Sequence, residues 1–161
     1  DVVGMNGDLG GQDNPLLSPD TYRDSLKPYE KKTIELIKNY TDVPILRHSC
    51  GNIVPFIKDF IEIGIDGINP VQVSAKGINT RKLKDNFGDS LCFWGGIDTQ
   101  EVLPNGTPKE VEREVRKRIK HLAPGGGYLL SSVHNIQEDV PPENICAMFD
   151  AAREFGEYPI H

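Results

Sequence analysis

The sequence predicts an α/β protein built as a parallel (β/α)n run of five units, and three observations lead there. Short apolar segments alternate five times with longer stretches whose apolar residues recur at spacings of three and four. The connections between them are short and rich in glycine, proline, asparagine and aspartate. Strict strand–helix alternation calls for parallel strands joined by right-handed crossovers. The pattern alone allows an open doubly wound sheet or part of a (β/α)8 barrel, since five units are too few for a closed barrel of about 250 residues. No Rossmann or P-loop fingerprint favours the open sheet.

Each element has its own signal. Val2-Val3-Gly4-Met5 reads as a first strand, followed by the polar loop Asn6–Asp13. Ser18-Pro19-Asp20 starts a helix whose apolar face is Tyr22, Leu26, Tyr29, Thr33 and Ile37, with a kink or break expected at Pro28. Val43-Pro44-Ile45-Leu46 is a buried strand leading to Arg47-His48-Ser49-Cys50-Gly51-Asn52. Asn52 is placed to cap a helix carrying Phe56, Ile57, Phe60 and Ile61. A third strand ends at Val71, and Asn79 opens a short helix ending near Phe87-Gly88. Leu91-Cys92-Phe93-Trp94 forms the fourth strand, stopping at Gly95-Gly96-Ile97-Asp98. Thr107-Pro108-Lys109-Glu110 is a capping-box sequence before the stripe Val111, Val115, Ile119 and Leu122. Gly125-Gly126-Gly127 precedes the fifth strand, Tyr128–Val133, which delivers His134. A last helix starts at Pro141-Pro142, turns Ile145, Met148, Phe149 and Ala152 inward, and stops at Gly156.

The totals describe one globular domain over residues 1–161, with 37% hydrophobic and 26% charged residues. No apolar run reaches the roughly 20 residues of a membrane span, and no leader opens the chain, so a cytoplasmic protein is expected. The first residue is Asp1 rather than Met, so a processing or fragment boundary is expected there. Net charge is −6, and the basic residues alternate with acids along Lys109–Arg118, which reads as a solvated helix face rather than a nucleic-acid surface. Three widely spaced cysteines, Cys50, Cys92 and Cys146, point to a reducing compartment.

In parallel α/β folds the chemistry gathers beyond the C-terminal ends of the strands. Here those positions hold Asp8, then His48 and Cys50, then Gln72, then Asp98 and Gln100, and finally His134, Asn135 and Gln137. Imidazole and thiolate are a standard zinc pair, but catalytic zinc takes three protein ligands and one open position. His134 or Asp98 would be the third, and spacing does not choose between them; the plainer alternative is a buried thiol beside a hydrogen-bonded histidine. His134 suits general acid–base work or a loop hydrogen bond, since its ordinary pKa lies near neutrality. Asp8 either touches substrate or closes an Asx-turn, and Asp98 reads the same way. Cys92 and Cys146 are expected in the core, and His121 and His161 receive no role.

Four segments together resemble the uroporphyrinogen decarboxylase superfamily: His48–Asn52, Phe93–Asp98, Gly125–Tyr128 and His134–Asn144. The resemblance runs over essentially the whole chain and implies the C-terminal five βα units of a TIM (β/α)8 barrel. The superfamily contains both the haem-pathway decarboxylase and zinc-dependent methyltransferases that work with corrinoid proteins. The resemblance makes His48 and Cys50 zinc ligands of the methyltransferase kind, and puts Gly126 where those enzymes keep a second cysteine. It also places His134 where the decarboxylases keep an active-site histidine and Asp8 near their substrate-facing loop, which makes these two the expected catalytic residues. Gln72, Asp98, Gln100 and Asn135 are expected from their strand-end positions to face a small-molecule substrate. Corrinoid-dependent methyl transfer is the leading expectation. Decarboxylation of a porphyrinogen is the alternative, and a non-catalytic partial barrel that needs a partner chain is the third. A corrinoid-carrying protein and either a second copy or an upstream barrel half are the expected partners, because a five-stranded sheet leaves two edges to cover.

Overall fold

In the computed structural model, which describes residues 1–160, five parallel strands form one sheet in sequence order. They are β1 (Val3–Asn6), β2 (Ile45–His48), β3 (Gly67–Val71), β4 (Cys92–Ile97) and β5 (Tyr128–Ser132). Helices α1 (Pro19–Ser25) and α2 (Lys27–Lys38) join β1 to β2, and a 3-10 turn at Val54–Phe56 with α3 (Ile57–Ile63) joins β2 to β3. Helix α4 (Thr80–Phe87) leads to β4, α5 (Val102–Asn105) and α6 (Pro108–Leu122) lead to β5, and α7 (Pro142–Phe155) comes last. His161 lies outside the described residues.

Strand register decides which side chains serve the core. Met5, Arg47, Ile68, Phe93 and Tyr128 align in one row across all five strands. Asn6, His48 and Asn69 align in the next row. Successive residues point to opposite faces. The first row therefore meets the helices, where Ile68 and Phe93 are buried with Tyr22, Ile34, Phe56 and Phe60. Tyr22 packs edge-on to Phe56 and Phe60 at 5.2 and 5.9 Å between centroids, contacts each worth about 0.5–1.5 kcal/mol beyond burial. A second core joins Ile97, Leu103, Val111, Val115, Ile119 and Met148, and Tyr128 borders both.

The expected break near Pro28 is present: α1 ends at Ser25 and α2 restarts at Lys27, with Pro28 in its first turn. That restart rotates the expected stripe. Tyr29 is exposed and Ile34 takes the core position, because Glu30 turns inward to Arg47 and Tyr22. Asn79 caps α4 as expected, its side chain accepting from Lys82 N–H at 3.1 Å. In the Thr107–Glu110 sequence, the Glu110 carboxylate accepts from both Thr107 N–H and O–H.

Four expectations are corrected. Asn52 caps no helix, since a 3-10 turn intervenes before α3. Strand β4 continues through Gly95 and Gly96 to Ile97, paired with β5 throughout. Helix α7 buries Asn144, Met148 and Ala151 and leaves Phe149 exposed, because Asn144 donates to Leu103 O and Gly106 O at 2.8 and 2.7 Å. Cys146, on the same outward side of α7, is exposed rather than core. No described helix is long and apolar enough to cross a membrane.

Candidate metal centre at the strand mouth

The register of β1 and β2 builds the centre. Val3 pairs with Ile45 and Asn6 with His48, a constant offset of 42 positions. Carried two residues past the strands, the same offset sets Asp8 opposite Cys50, and the Asp8 carboxylate accepts from Cys50 N–H at 2.8 Å. The two loops meet through glycines. Gly10 and Gly51 are in direct contact, Gly51 has φ of +82°, and a Cβ on either would collide with the other's backbone. Buried Ser49 ties the loops further, its hydroxyl accepting from Leu9 N–H at 2.9 Å.

Donor atoms of Asp8, His48 and Cys50 lie within 4.8 Å of one another. His48 Nδ1 lies 2.7 Å from Asn69 Oδ1 on the neighbouring strand. With that nitrogen donating, the Nε2 lone pair is left facing Cys50 Sγ at 3.8 Å. Tetrahedral zinc, with bonds of about 2.0 Å to nitrogen and 2.3 Å to sulfur, sets such donors about 3.5 Å apart. The pair is therefore already spaced for a metal, and imidazole, thiol and carboxylate form a donor set that fits zinc. Burial, with a contribution from the Asp8 charge, pushes the Cys50 thiol above its ordinary pKa. Beside the cluster, Asn6, Gly7, Asp8 and His48 line an open cavity of about 390 Å³.

The remaining rim residues divide by role. Gln72 is buried and accepts from Gly51 N–H at 2.7 Å, while its amide donates to Gln12 at 3.0 Å. Gln12 and Gln100 also approach at 3.3 Å, so Gln72, Gln12 and Gln100 form an amide chain behind the Cys50 loop. Gln12 carries no signal in the sequence, because it sits in a loop and its partners are 60 and 88 positions away. Asp98 is buried and turns back on its own loop, accepting from Gln100 N–H at 3.1 Å and Glu101 N–H at 3.2 Å ahead of α5. His134 and Asn135 are exposed just past β5. They share the mouth with Cys50 but stand three strands from β2, about 14 Å at the usual strand spacing. The Asp8–His48–Cys50 group includes neither His134 nor Asp98, the two expected third ligands.

Gly126 lies elsewhere. The triple-glycine loop precedes β5, with Gly127 O accepting from Phe93 N–H at 2.8 Å and Gly126 O from Lys84 at 2.6 Å. It is therefore at the opposite end of the parallel strands from Cys50. A thiol at position 126 would not reach the mouth.

Arg47 leaves β2 on the helix side, opposite His48, and its guanidinium ends alongside Gly7 at the edge of the mouth, where a Cβ on that glycine would come within 3.5 Å of it. It is buried, pairs with Glu30 at 2.9 Å and lies against the Phe60 ring. Arg23 bonds Asp59, Arg118 bonds Glu114 and Thr80, and Arg81, Arg113 and Arg153 lie on outer helices.

A fold of this kind with this mouth belongs among parallel barrels that carry their chemistry on strand-end loops. The Uroporphyrinogen decarboxylase (URO-D) family profile matches residues 9–155, and the chain belongs to that family. It is 29% identical over 145 residues to uroporphyrinogen decarboxylase of Chlorobium phaeovibrioides, covering 86% of this chain and 38% of that protein. It is 27% identical over 140 residues to the methylcobamide:CoM methyltransferase MtbA of Methanosarcina acetivorans, covering 87% of this chain and 38% of that one. A solved methyltransferase from Methanosarcina mazei superposes with a TM-score of 0.76 at 23% identity, over 98% of this chain and 43% of that one. The five βα units thus correspond to part of such a barrel, and the chain spans about two fifths of the length of the curated relatives it matches.

Proposed function

We propose that this chain forms the metal-bearing part of a corrinoid-linked methyltransferase, with His48 and Cys50 as zinc ligands. The observation that carries the reading is the 3.8 Å approach of His48 Nε2 to Cys50 Sγ, fixed from behind by Asn69. Zinc held there supplies Lewis-acid activation of the heteroatom that gives or takes the methyl group. The protein's own contributions are positional. Asn69 sets the imidazole tautomer, Gln72 and Ser49 hold the Cys50 loop, and the cavity beside Asp8 admits the small molecule. A relative named as a methylcobamide methyltransferase supports the same direction, and a corrinoid-carrying partner is implied by it.

Decarboxylation of a porphyrinogen, with Asp8 and His134 at the substrate, is the second reading, favoured by the decarboxylases among the relatives. It asks for cationic groups around a polyacidic tetrapyrrole, best supplied by bidentate arginines. Among the described residues the arginines are paired in the helix layer or exposed on its outer side, so this reading draws its cationic groups from elsewhere in the barrel.

The full-length protein, loaded with zinc, is assayed for demethylation of a methylated corrinoid in the presence of a thiol acceptor. Turnover that requires zinc and disappears in Cys50→Ser supports the proposal. Release of carbon dioxide from a porphyrinogen by metal-free protein would replace it with the second reading. A third reading, a non-catalytic partial barrel, rests on β1 and β5, which each pair on one side among the described residues; a second copy or an upstream barrel half would cover those edges. A folded, active monomer of residues 1–161 would exclude it.

A further inference from the structure

Resting on the zinc reading above, we infer that Asp8 is the third protein ligand, so that the centre is a mixed nitrogen, sulfur and oxygen site with a single thiolate. A carboxylate oxygen of Asp8 already lies within 4.8 Å of both the His48 and Cys50 donors. One Asp8 oxygen accepts from Cys50 N–H at 2.8 Å, which fixes the carboxylate while leaving the other oxygen for a cation. The placement comes from backbone register, since β1 and β2 pair at an offset of 42 and Asp8 and Cys50 continue it. His134 and Asp98 compete for the same role from farther away. His134 stands three strands from β2, and both Asp98 oxygens serve backbone N–H groups ahead of α5.

Three protein ligands leave the fourth tetrahedral position open, and the cavity lined by Asn6, Gly7, Asp8 and His48 gives it access. A carboxylate is a harder donor than a thiolate, so the centre accepts oxygen-tolerant dications such as Co²⁺ more readily than a two-thiolate site does.

The test compares the wild type, Asp8→Asn and His134→Ala as full-length proteins, using zinc alone and Co²⁺ alone as probes. Asp8→Asn keeps an acceptor for Cys50 N–H but removes the anionic ligand, and circular dichroism checks that each variant is folded. In chelator competition the Asp8→Asn protein binds zinc at least about 10–100-fold more weakly, the scale seen even when supporting groups around a metal are removed. His134→Ala retains wild-type affinity. X-ray absorption of the zinc form shows one sulfur scatterer, and the Co²⁺ form shows thiolate charge transfer from a single sulfur. Equal zinc affinity in wild type and Asp8→Asn, or loss in His134→Ala alone, would overturn the Asp8 assignment while leaving zinc in place. A wild-type protein that takes up no zinc would overturn the parent reading and this one with it.

Discussion

His48 Nδ1 and Asn69 Oδ1 sit 2.7 Å apart on adjacent strands, and this contact decides which imidazole nitrogen faces Cys50. Asn69 touches neither Cys50 nor Asp8 in that role; it acts through the ring. Asn69→Ala is therefore expected to weaken zinc binding by about 10–100-fold without unfolding the protein. Chelator competition measures the first effect and thermal unfolding the second. Unchanged zinc affinity would mean that the tautomer is set by something else.

Gly126 offers the reverse experiment. It has φ of +90° and open space around its Cα, so Gly126→Cys is expected to cost about 1–2 kcal/mol from backbone strain. Because its loop lies at the far end of β5, the new thiol adds no sulfur to the metal centre. Denaturant unfolding reads the strain, and sulfur counting by X-ray absorption reads the geometry. A gain of one sulfur scatterer would show that the loop reaches the mouth.

Acid stability should depend on Asp59. Burial alone would raise its pKa, but hydrogen bonds from Arg23 and Lys27, with their charges, bring it below the usual carboxylate value. A depressed folded-state pKa contributes stability that is complete above the unfolded value near 4 and is lost as pH falls through the folded value. Asp59→Ala leaves Lys27 largely buried beside only Glu62, at a cost of roughly 1–3 kcal/mol at neutral pH. The gap between wild type and variant should begin to close as pH falls below about 4 and vanish only below the folded-state value. A gap that persists there would show that Asp59 contributes by packing rather than by charge.

Glu30 and Arg47 form the other buried pair, at 2.9 Å beneath the sheet. Glu30→Ala strands the guanidinium, and breaking a buried pair this way costs about 3–5 kcal/mol. Zinc affinity measured on the folded fraction should not change, since Arg47 leaves β2 on the face opposite His48 and pairs with Glu30 in the helix layer. Coupled loss of both would put Arg47 in the site.

Much of the fold is legible in the sequence because each strand is a short apolar run bounded by turn residues. The break between α1 and α2 is announced by Pro28, the start of α4 by Asn79, and the mouth by the polar residues just past each strand. The errors arise where a long-range polar contact sets helix phase. Glu30 turns α2 toward Arg47, and Asn144 turns α7 toward the carbonyls of Leu103 and Gly106. The centre is only half legible. His48 and Cys50 are neighbours in sequence, but Asp8 meets them through inter-strand register, which no local pattern encodes. Gly126 misleads for the same reason: a motif match ignores which end of a strand a loop occupies.

Zinc content of the purified full-length protein decides whether His48 and Cys50 hold a metal. One zinc per chain, lost in Cys50→Ser while the fold is retained, is the predicted result. Metal-free protein that is fully active, or zinc retained undiminished without the Cys50 thiol, would contradict it.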